Sequence, residues 1–351
     1  MQTWDAIIVG GGIIGLSLSI ELRKRGLKVL IVERGEPGRE ASHAAAGMLA
    51  DCDSALPAPL QPLAAASARM YPEFVHELQD ESGLKADLRE HGTVVLHESP
   101  GGSGNLPKPL AELEPSLDCG KLFASFCMER SVDPRALASA AQKAARHRGV
   151  DIASGSAVSA VCVAEGHATG VKTDKTTYLA PVVVNCAGAW AGQFSPIPIP
   201  ARPIKGQIFS VIGGPALAHV IRAPEAYLVP RSDGRIVIGA TAEDVGYDKR
   251  TEPETVQRML GAAVNLFPAL SKAKLHEAWA GLRPGTPDGL PILGETAVRG
   301  YFAATGHFRD GILLAPLTAS VMAGLITENK AGFDLSAFSP LRFQDGIRRA
   351  G

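Results

Sequence analysis

Two stretches of this chain carry residue types and spacings that could do chemistry. In IIVGGGIIG, Gly10, Gly12 and Gly15 form G-x-G-x-x-G, and Glu33 follows 18 residues beyond Gly15. The pattern suits a dinucleotide: the first glycine permits a tight turn, the second lets backbone approach a pyrophosphate, and the third lets a helix pack closely on a strand. The helix start would face the phosphates with unpaired N–H groups and the positive end of its dipole. Glu33 would accept hydrogen bonds from ribose hydroxyls and disfavours a 2′-phosphate, which argues against NADP; the motif alone does not separate FAD from NAD. The second stretch, TGHFRDGILLAPLTA, sets His307, Arg309 and Asp310 directly before an apolar run that ends near Ile326. Arg and Asp are rarely fully buried unless paired. This is therefore either a solvated loop or the doorstep of a site for something anionic, with Asp310 also placed as an N-cap.

The elements around the glycines follow from hydrophobic patterning. A short strand over Asp5–Val9, a helix over Ile13–Arg25 and the apolar strand LKVLIVE make one β-α-β unit of about 30 residues, the building block of a doubly wound parallel sheet. The Pro-rich DSALPAPLQP (53–62) reads as a connector that cannot be helical, followed by a helix over 63–82, a strand over 92–99 and a loop over 100–109. Asp133 as N-cap, Pro134 at the first helical position and Gly149 as stop delimit a further helix. VDIASGSAVSAVCVA and YLAPVVVNCAGAW then read as one strand each. KGQIFSVIG and AYLVPRSDGRIVIGAT alternate like antiparallel strands, the latter a hairpin turning at Ser232, Asp233 and Gly234.

Parallel and antiparallel pieces interleave, so the expectation is an α/β chain of two domains. A Rossmann-like FAD- or NAD-binding domain would be discontinuous, over 1–85, 133–200 and 276–351. A second α+β domain with an antiparallel sheet would take 86–132 and 201–275. At 351 residues the chain exceeds what one core usually supports.

Bulk properties exclude several classes. Lys plus Arg number 35 against 36 Asp plus Glu, which gives no electrostatic reason to expect nucleic acid or an anionic membrane as partner. The cysteines, Cys52, Cys119, Cys127, Cys162 and Cys186, are odd in number and widely spaced. They form neither a disulfide framework nor a zinc pattern, so no metal and a reducing cytoplasmic setting are expected. The N-terminus lacks a basic n-region and cleavage site, and so does not read as a secretory signal. The runs 6–20 and 312–326 fall short of the ~18–20 residues of a membrane span.

After Glu33, RGEPGREASHAAAGMLA contains Ser42, Ala44, Ala45, Ala46, Gly47 and Met48. Such small residues would let backbone pack edge-on against a large flat ring; an ordinary Ala-rich helix is the alternative. Taken with VVVNCAGAWAG, RPIKGQIF, YLVPRSDGRIVIGAT, WAGLRPGTPDGLPILG and TGHFRDGILLAP, in this order from Asp5 to about Thr318, the sequence resembles the D-amino-acid oxidase superfamily of flavoproteins. Within it, the resemblance is to the glycine oxidases of thiamine biosynthesis.

The resemblance implies non-covalent FAD in a glutathione-reductase-like domain. It implies Gly10, Gly12, Ile13, Ile14, Gly15, Glu33 and Arg34 around the ADP half, Val158 at the adenine, and Ser42, Ala45, Ala46, Gly47 and Met48 along the flavin. Gly188 and Trp190 belong to a flavin-side loop, and Gly306, His307, Arg309, Asp310, Gly311, Ile312 and Leu313 would close over the ring. Arg283 would bind the substrate carboxylate, with Tyr227 as hydroxyl partner and Arg309 and Met48 lining the pocket. A guanidinium grips a carboxylate bidentately in a way Lys cannot. The implied reaction passes a hydride from a small amino acid to the flavin without a dedicated protein base and ends with oxygen reduced to hydrogen peroxide. It also implies a homotetramer and a hand-off of the imine to a thiazole synthase. Two positions depart from relatives: Gly281 stands where sarcosine oxidases carry a flavin-linking cysteine, and Ala242 stands where glycine oxidases usually carry a bulkier residue.

Overall fold

The apolar run Ala6–Val9 becomes a strand buried along its whole length, because it is covered on both faces and flanked on both edges. The computed structural model describes residues 3–100, 104–214 and 216–343; of the loop expected over 100–109, residues 101–103 lie outside the described residues. Ala6–Val9 pairs in parallel with Val29–Glu33 on one side and Val182–Asn185 on the other. The full sheet runs Ile292–Glu295, Tyr301–Thr305, Val182–Asn185, Ala6–Val9, Val29–Glu33, Asp151–Ser154, and only its first pair is antiparallel. A second sheet of seven strands runs Lys274–Gly285, Arg202–Ile212, Ile236–Gly239, Tyr227–Pro230, Val220–Arg222, Thr93–His97, Phe123–Cys127. It is antiparallel except where Val220–Arg222 meets Thr93–His97. Each sheet has its own apolar core: the first helix, the C-terminal helix and Leu137–Ala145 cover the parallel sheet, while Pro253–Leu266 covers the other.

Local chemistry shifts several expected boundaries. The strand Lys274–Gly285 pairs along its length with Arg202–Ile212, so the domain boundary expected at 276 falls inside a strand of the antiparallel sheet. VDIASGSAVSAVCVA is two strands, Asp151–Ser154 in the parallel sheet and Val158–Ala164 in a small three-stranded one. YLAPVVVNCAGAW divides at Pro181 into Thr177–Leu179 and Val182–Asn185, since proline has no N–H to donate to a ladder. The Pro-rich connector ends in a 3-10 turn, Ala58–Leu60, and the helix begins at Gln61 with Pro62 in its first turn, where a missing N–H costs nothing. Asp133 caps Pro134–His147 as expected, its carboxylate accepting from the N–H groups of Arg135 and Ala136 at 2.8 and 3.3 Å.

The first helix, Ile13–Lys24, sits hard on its strand. A Cβ on Gly15 would lie 2.1 Å from the Gly10 carbonyl oxygen, so only glycine permits this approach. The C-terminal helix, Gly311–Glu328, is long and apolar enough to cross a bilayer, the one such helix among the described residues, and 67% of that span is buried inside the protein. It packs against the first helix and Gln61–Ser82, which makes it a core helix. Pro316 interrupts it and removes the N–H that would have served the Ile312 carbonyl four residues earlier. The Tyr71 hydroxyl donates to that carbonyl instead, and Ser67 Oγ donates to the Leu313 carbonyl at 2.6 Å. The helix that supplies these two side chains has the same flaw at Pro72, where Arg130 Nη1 reaches the Ala68 carbonyl at 3.4 Å. Tyr71→Phe should therefore lower unfolding stability by about 1–3 kcal/mol, the cost of a buried acceptor left without its donor; urea unfolding curves check this, and an unchanged midpoint would show that the carbonyl finds another partner.

Candidate active site

Between the two sheets lies a cavity of about 600 Å³, within the usual range for a bound cofactor or ligand. Its floor at one end is the turn after Ala6–Val9. Gly10, Gly12, Ile13 and Ile14 line it there, with the N-terminus of the first helix opening on the cavity. Gly15 does not line it; pressed against the Gly10 carbonyl, it sets the angle of the helix. Glu33 does line it, but both its oxygens already serve the loop, accepting from Gly11 N–H at 2.7 Å and Gly35 N–H at 2.9 Å. Each carboxylate oxygen retains capacity for a further donor such as a ribose hydroxyl. Arg34, also in the lining, pairs with Glu40 at 2.7 Å and stacks 3.5 Å over the ring of Trp190. Val158 and Gly188 complete this end.

The middle of the cavity is walled by the small-residue run. Ser42, Ala45, Ala46, Gly47 and Met48 all reach it. Ser42 Oγ accepts from Ile13 N–H at 2.9 Å and so ties the run to the helix start. Gly47 is obligatory: at φ +75° a Cβ would lie 2.0 Å from the Val132 carbonyl oxygen. The Ala46 carbonyl accepts from Arg231 Nη2 at 2.5 Å, a buried guanidinium on the hairpin of the antiparallel sheet. Gly281 faces Ala44 so closely that a Cβ would lie 2.3 Å from the Ala44 Cβ. A cysteine tether does not fit there, and the wall suits a flat group held by contact alone.

The far end collects cations. Arg283 lies over the backbone of Gly206, where a Cβ would come within 2.3–2.5 Å of its guanidinium atoms. Its Nη1 donates to the Thr241 carbonyl at 2.9 Å, and Tyr227 shares a hydrogen bond with it. Burial disfavours the Arg283 charge, and Arg309 adds like-charge repulsion. Burial likewise pushes the Tyr227 phenol up, with Arg283 and Arg309 pulling the other way. Among the described residues neither Arg283 nor Arg309 forms an ion pair with a carboxylate. Arg309 is exposed at the rim, while Met48 and Ala242 line the same end.

His307, Asp310, Gly311 and Ile312 bring the start of the C-terminal helix to the cavity. Gly306 and Leu313 stand behind it: Gly306 packs on Thr286, and Leu313 is in the core, 1% exposed. The His307 ring is paired with Thr318 Oγ1 at 3.1 Å, and burial lowers its pKa to about 3, so it stays neutral near pH 7. Asp310 occupies the N-cap position but its side chain makes no capping bond, contrary to expectation. Burial pushes its carboxyl up to about 6, Arg309 opposes, and Asp53 raises it further.

Sequence reasoning missed Arg222, Asp53 and Glu225 in the lining, and Arg231 behind it. Arg222 is held by Glu129 at 3.3 Å and Asp53 at 3.6 Å. Arg222, Glu225 and Arg231 come from one stretch of the chain, but the partners of Arg222 and Arg231, which are Asp53, Glu129 and Ala46, lie far from it in sequence, and no local spacing marks them.

This fold and cavity are those of a flavin-dependent oxidoreductase. Residues 5–325 match the model of the FAD dependent oxidoreductase (DAO) family, and the chain belongs to that family. It is 37% identical to the bifunctional protein ThiO/ThiG of Synechocystis sp., over 98% of this chain and 55% of that protein. The chain thus spans about half the length of the fusion relatives it matches. It is 34% identical to the glycine oxidase of Geobacillus kaustophilus over 97% of each chain. The crystal structure of glycine oxidase from that organism superposes with a TM-score of 0.91 and 33% identity, covering 97% of this chain and 98% of the other.

Asp310 yields a pH signature. Its folded pKa is raised above 3.8 to about 6, so its contribution to stability is fully present below pH 3.8 and lost as pH rises through 6. Asp310→Asn should leave stability unchanged near pH 3.5 and raise it by about 1–3 kcal/mol above pH 7. Denaturation of both proteins at the two pH values checks this; equal curves at pH 7 would mean the carboxylate is well solvated or paired.

Proposed function

We propose that the protein is an oxidase of glycine and other small amino acids, sarcosine and small D-amino acids among them, yielding an imine, then a 2-oxo acid and ammonia, with hydrogen peroxide. The observation that carries this reading is the pair Arg283 and Arg309, without carboxylate partners among the described residues, beside Tyr227 at one end of a cavity whose other end is a dinucleotide turn. Bound FAD would accept the hydride equivalent and pass electrons to dioxygen. Gly10, Gly12, Ile13, Ile14, Glu33, Arg34 and Val158 would hold its nucleotide half. Ser42, Ala45, Ala46, Gly47, Met48, Gly188 and Trp190 would wall its ring, with Gly15, Gly306 and Leu313 acting from behind through the backbone they position.

The chain's own work is orientation. Arg283 grips the substrate carboxylate bidentately, Tyr227 hydrogen-bonds it, and Arg309 closes the rim. His307, neutral and already paired with Thr318, is not the proton acceptor; a substrate bound as the free amine needs none. The N-terminal end of the helix at Gly311 turns its positive dipole toward the cavity, where negative charge would gather during reaction. The imine would supply a thiazole synthase, the chemistry named in the fused relatives; a homo-oligomer and a cytoplasmic location belong to the same proposal.

The small Ala242 wall favours a second reading, a broader D-amino-acid oxidase or dehydrogenase. Peroxide release over glycine, sarcosine and D-alanine separates these, since a dehydrogenase releases none. If no amino acid bleaches the flavin absorbance without oxygen, the chain is a non-catalytic flavoprotein and the proposal fails.

Arg283→Lys should cut kcat/KM for glycine by on the order of 100-fold while FAD content holds. Gly206→Ala should act in the same direction, by displacing the guanidinium without touching its charge. An unaltered rate in both would remove Arg283 from the carboxylate. Ala242→Met should lower kcat/KM for D-alanine relative to glycine by roughly 10–100-fold, read from the same peroxide assay.

A further inference from the structure

Two of the five widely spaced cysteines do meet. The strand pair Met48–Leu49 and Arg130–Ser131 aligns Met48 with Ser131 and Leu49 with Arg130. That pairing lays the turn at Asp51–Asp53 against the turn that follows the edge strand Phe123–Cys127. The Sγ atoms of Cys52 and Cys127 and a carboxylate oxygen of Glu129 thereby come within 4.8 Å of one another. We propose that Cys52, Cys127 and Glu129 form a binding site for a thiophilic divalent cation such as Zn²⁺.

The geometry is close to what such an ion needs. With Zn–S near 2.3 Å and Zn–O near 2.0–2.2 Å in a tetrahedron, donor atoms stand roughly 3.5–3.8 Å apart, so small side-chain rotations close the set. The third donor is already oriented. Glu129 is buried, 3% exposed, and its carboxylate accepts from Cys52 N–H at 3.3 Å and from the Thr93 hydroxyl; outer contacts of this kind fix ligand direction in metal sites. Cys52 is exposed while Cys127 and Glu129 are buried, which provides an entry path and leaves the fourth position to water. Asp51 beside Cys52 adds negative charge.

One cation is already present. Arg222 sits 3.3 Å from Glu129 and 3.6 Å from Asp53, and its Nη1 is buried without a hydrogen bond. A metal ion on Glu129 would compete with this guanidinium and leave it to Asp53. Both Arg222 and Asp53 line the cavity, so ion binding reaches the cavity wall through one residue. The three donors are in place whichever amine the enzyme oxidises.

The test is an anaerobic titration of the FAD-loaded protein, thiols reduced, with Co²⁺. One equivalent should bind, with thiolate-to-metal charge-transfer absorption in the difference spectrum that Zn²⁺ abolishes on displacing it. Cys52→Ser and Glu129→Gln should each weaken binding at least about tenfold, with flavin absorbance intact as evidence of folding, while Cys119→Ser should change nothing. The proposal is overturned if no charge-transfer band appears at stoichiometric Co²⁺. Binding unaffected by both Cys52→Ser and Glu129→Gln overturns it as well, as does peptide mapping that finds Cys52 and Cys127 joined to each other in the purified enzyme.

Discussion

The cavity depends on a guanidinium laid where no side chain could stand. Arg283 occupies the space that a Cβ of Gly206 would fill, and Tyr227 does the same above Gly239, whose Cβ would come 2.5 Å from the phenol oxygen. Both glycines lie in central strands of the antiparallel sheet, where glycine otherwise weakens packing. What the sheet loses in contact it recovers as a flat bed for two polar groups. Thr241 and Tyr227 satisfy part of the guanidinium, and its remaining donors are left for an anion. A half-buried charge of this kind is tolerable only because the cavity is open enough for solvent or a ligand to reach it.

The two sheets divide the remaining tasks. The parallel sheet delivers backbone: a glycine turn, a helix end and a run of small residues. The antiparallel sheet delivers side chains that reach across: Arg283, Tyr227, and Arg231 with its grip on the Ala46 carbonyl. That grip, together with Ser42 on Ile13 N–H, fixes the small-residue run from both sides. The C-terminal helix closes the cavity, and its first turn is held less by its own ladder, broken at Pro316, than by Tyr71 and Ser67 from a neighbouring helix.

Much of this was legible because the signals are local. The glycine turn, its acid and the following strand lie within one β-α-β unit, and the Asp133 cap and the hairpin at Ser232–Gly234 are read within a few residues. Strand ends misled where proline cut a continuous apolar run, as at Pro181, or where one stretch feeds two sheets, as Asp151–Ser154 and Val158–Ala164 do. Some side chains that line the cavity or brace its wall were illegible. Arg231, Arg222 and Glu129 are each defined by partners from 77 to 185 residues away or across sheets, and no periodicity encodes that. Asp310 shows the limit of pattern even at short range: it occupies a cap position and does not cap.

Gly281 pressed on Ala44 has a consequence beyond specificity. With no room for a cysteine tether at this position, a cofactor held by contact alone binds at equilibrium, and a ligand that binds only the folded chain stabilises it by RT ln(1 + [L]/Kd). The Gly-rich turn, the alanine run and the start of the C-terminal helix all line the cavity in which that ligand would bind. The stability of this fold is therefore coupled to flavin supply: where FAD is scarce, the empty chain forgoes that stabilisation as well as its turnover.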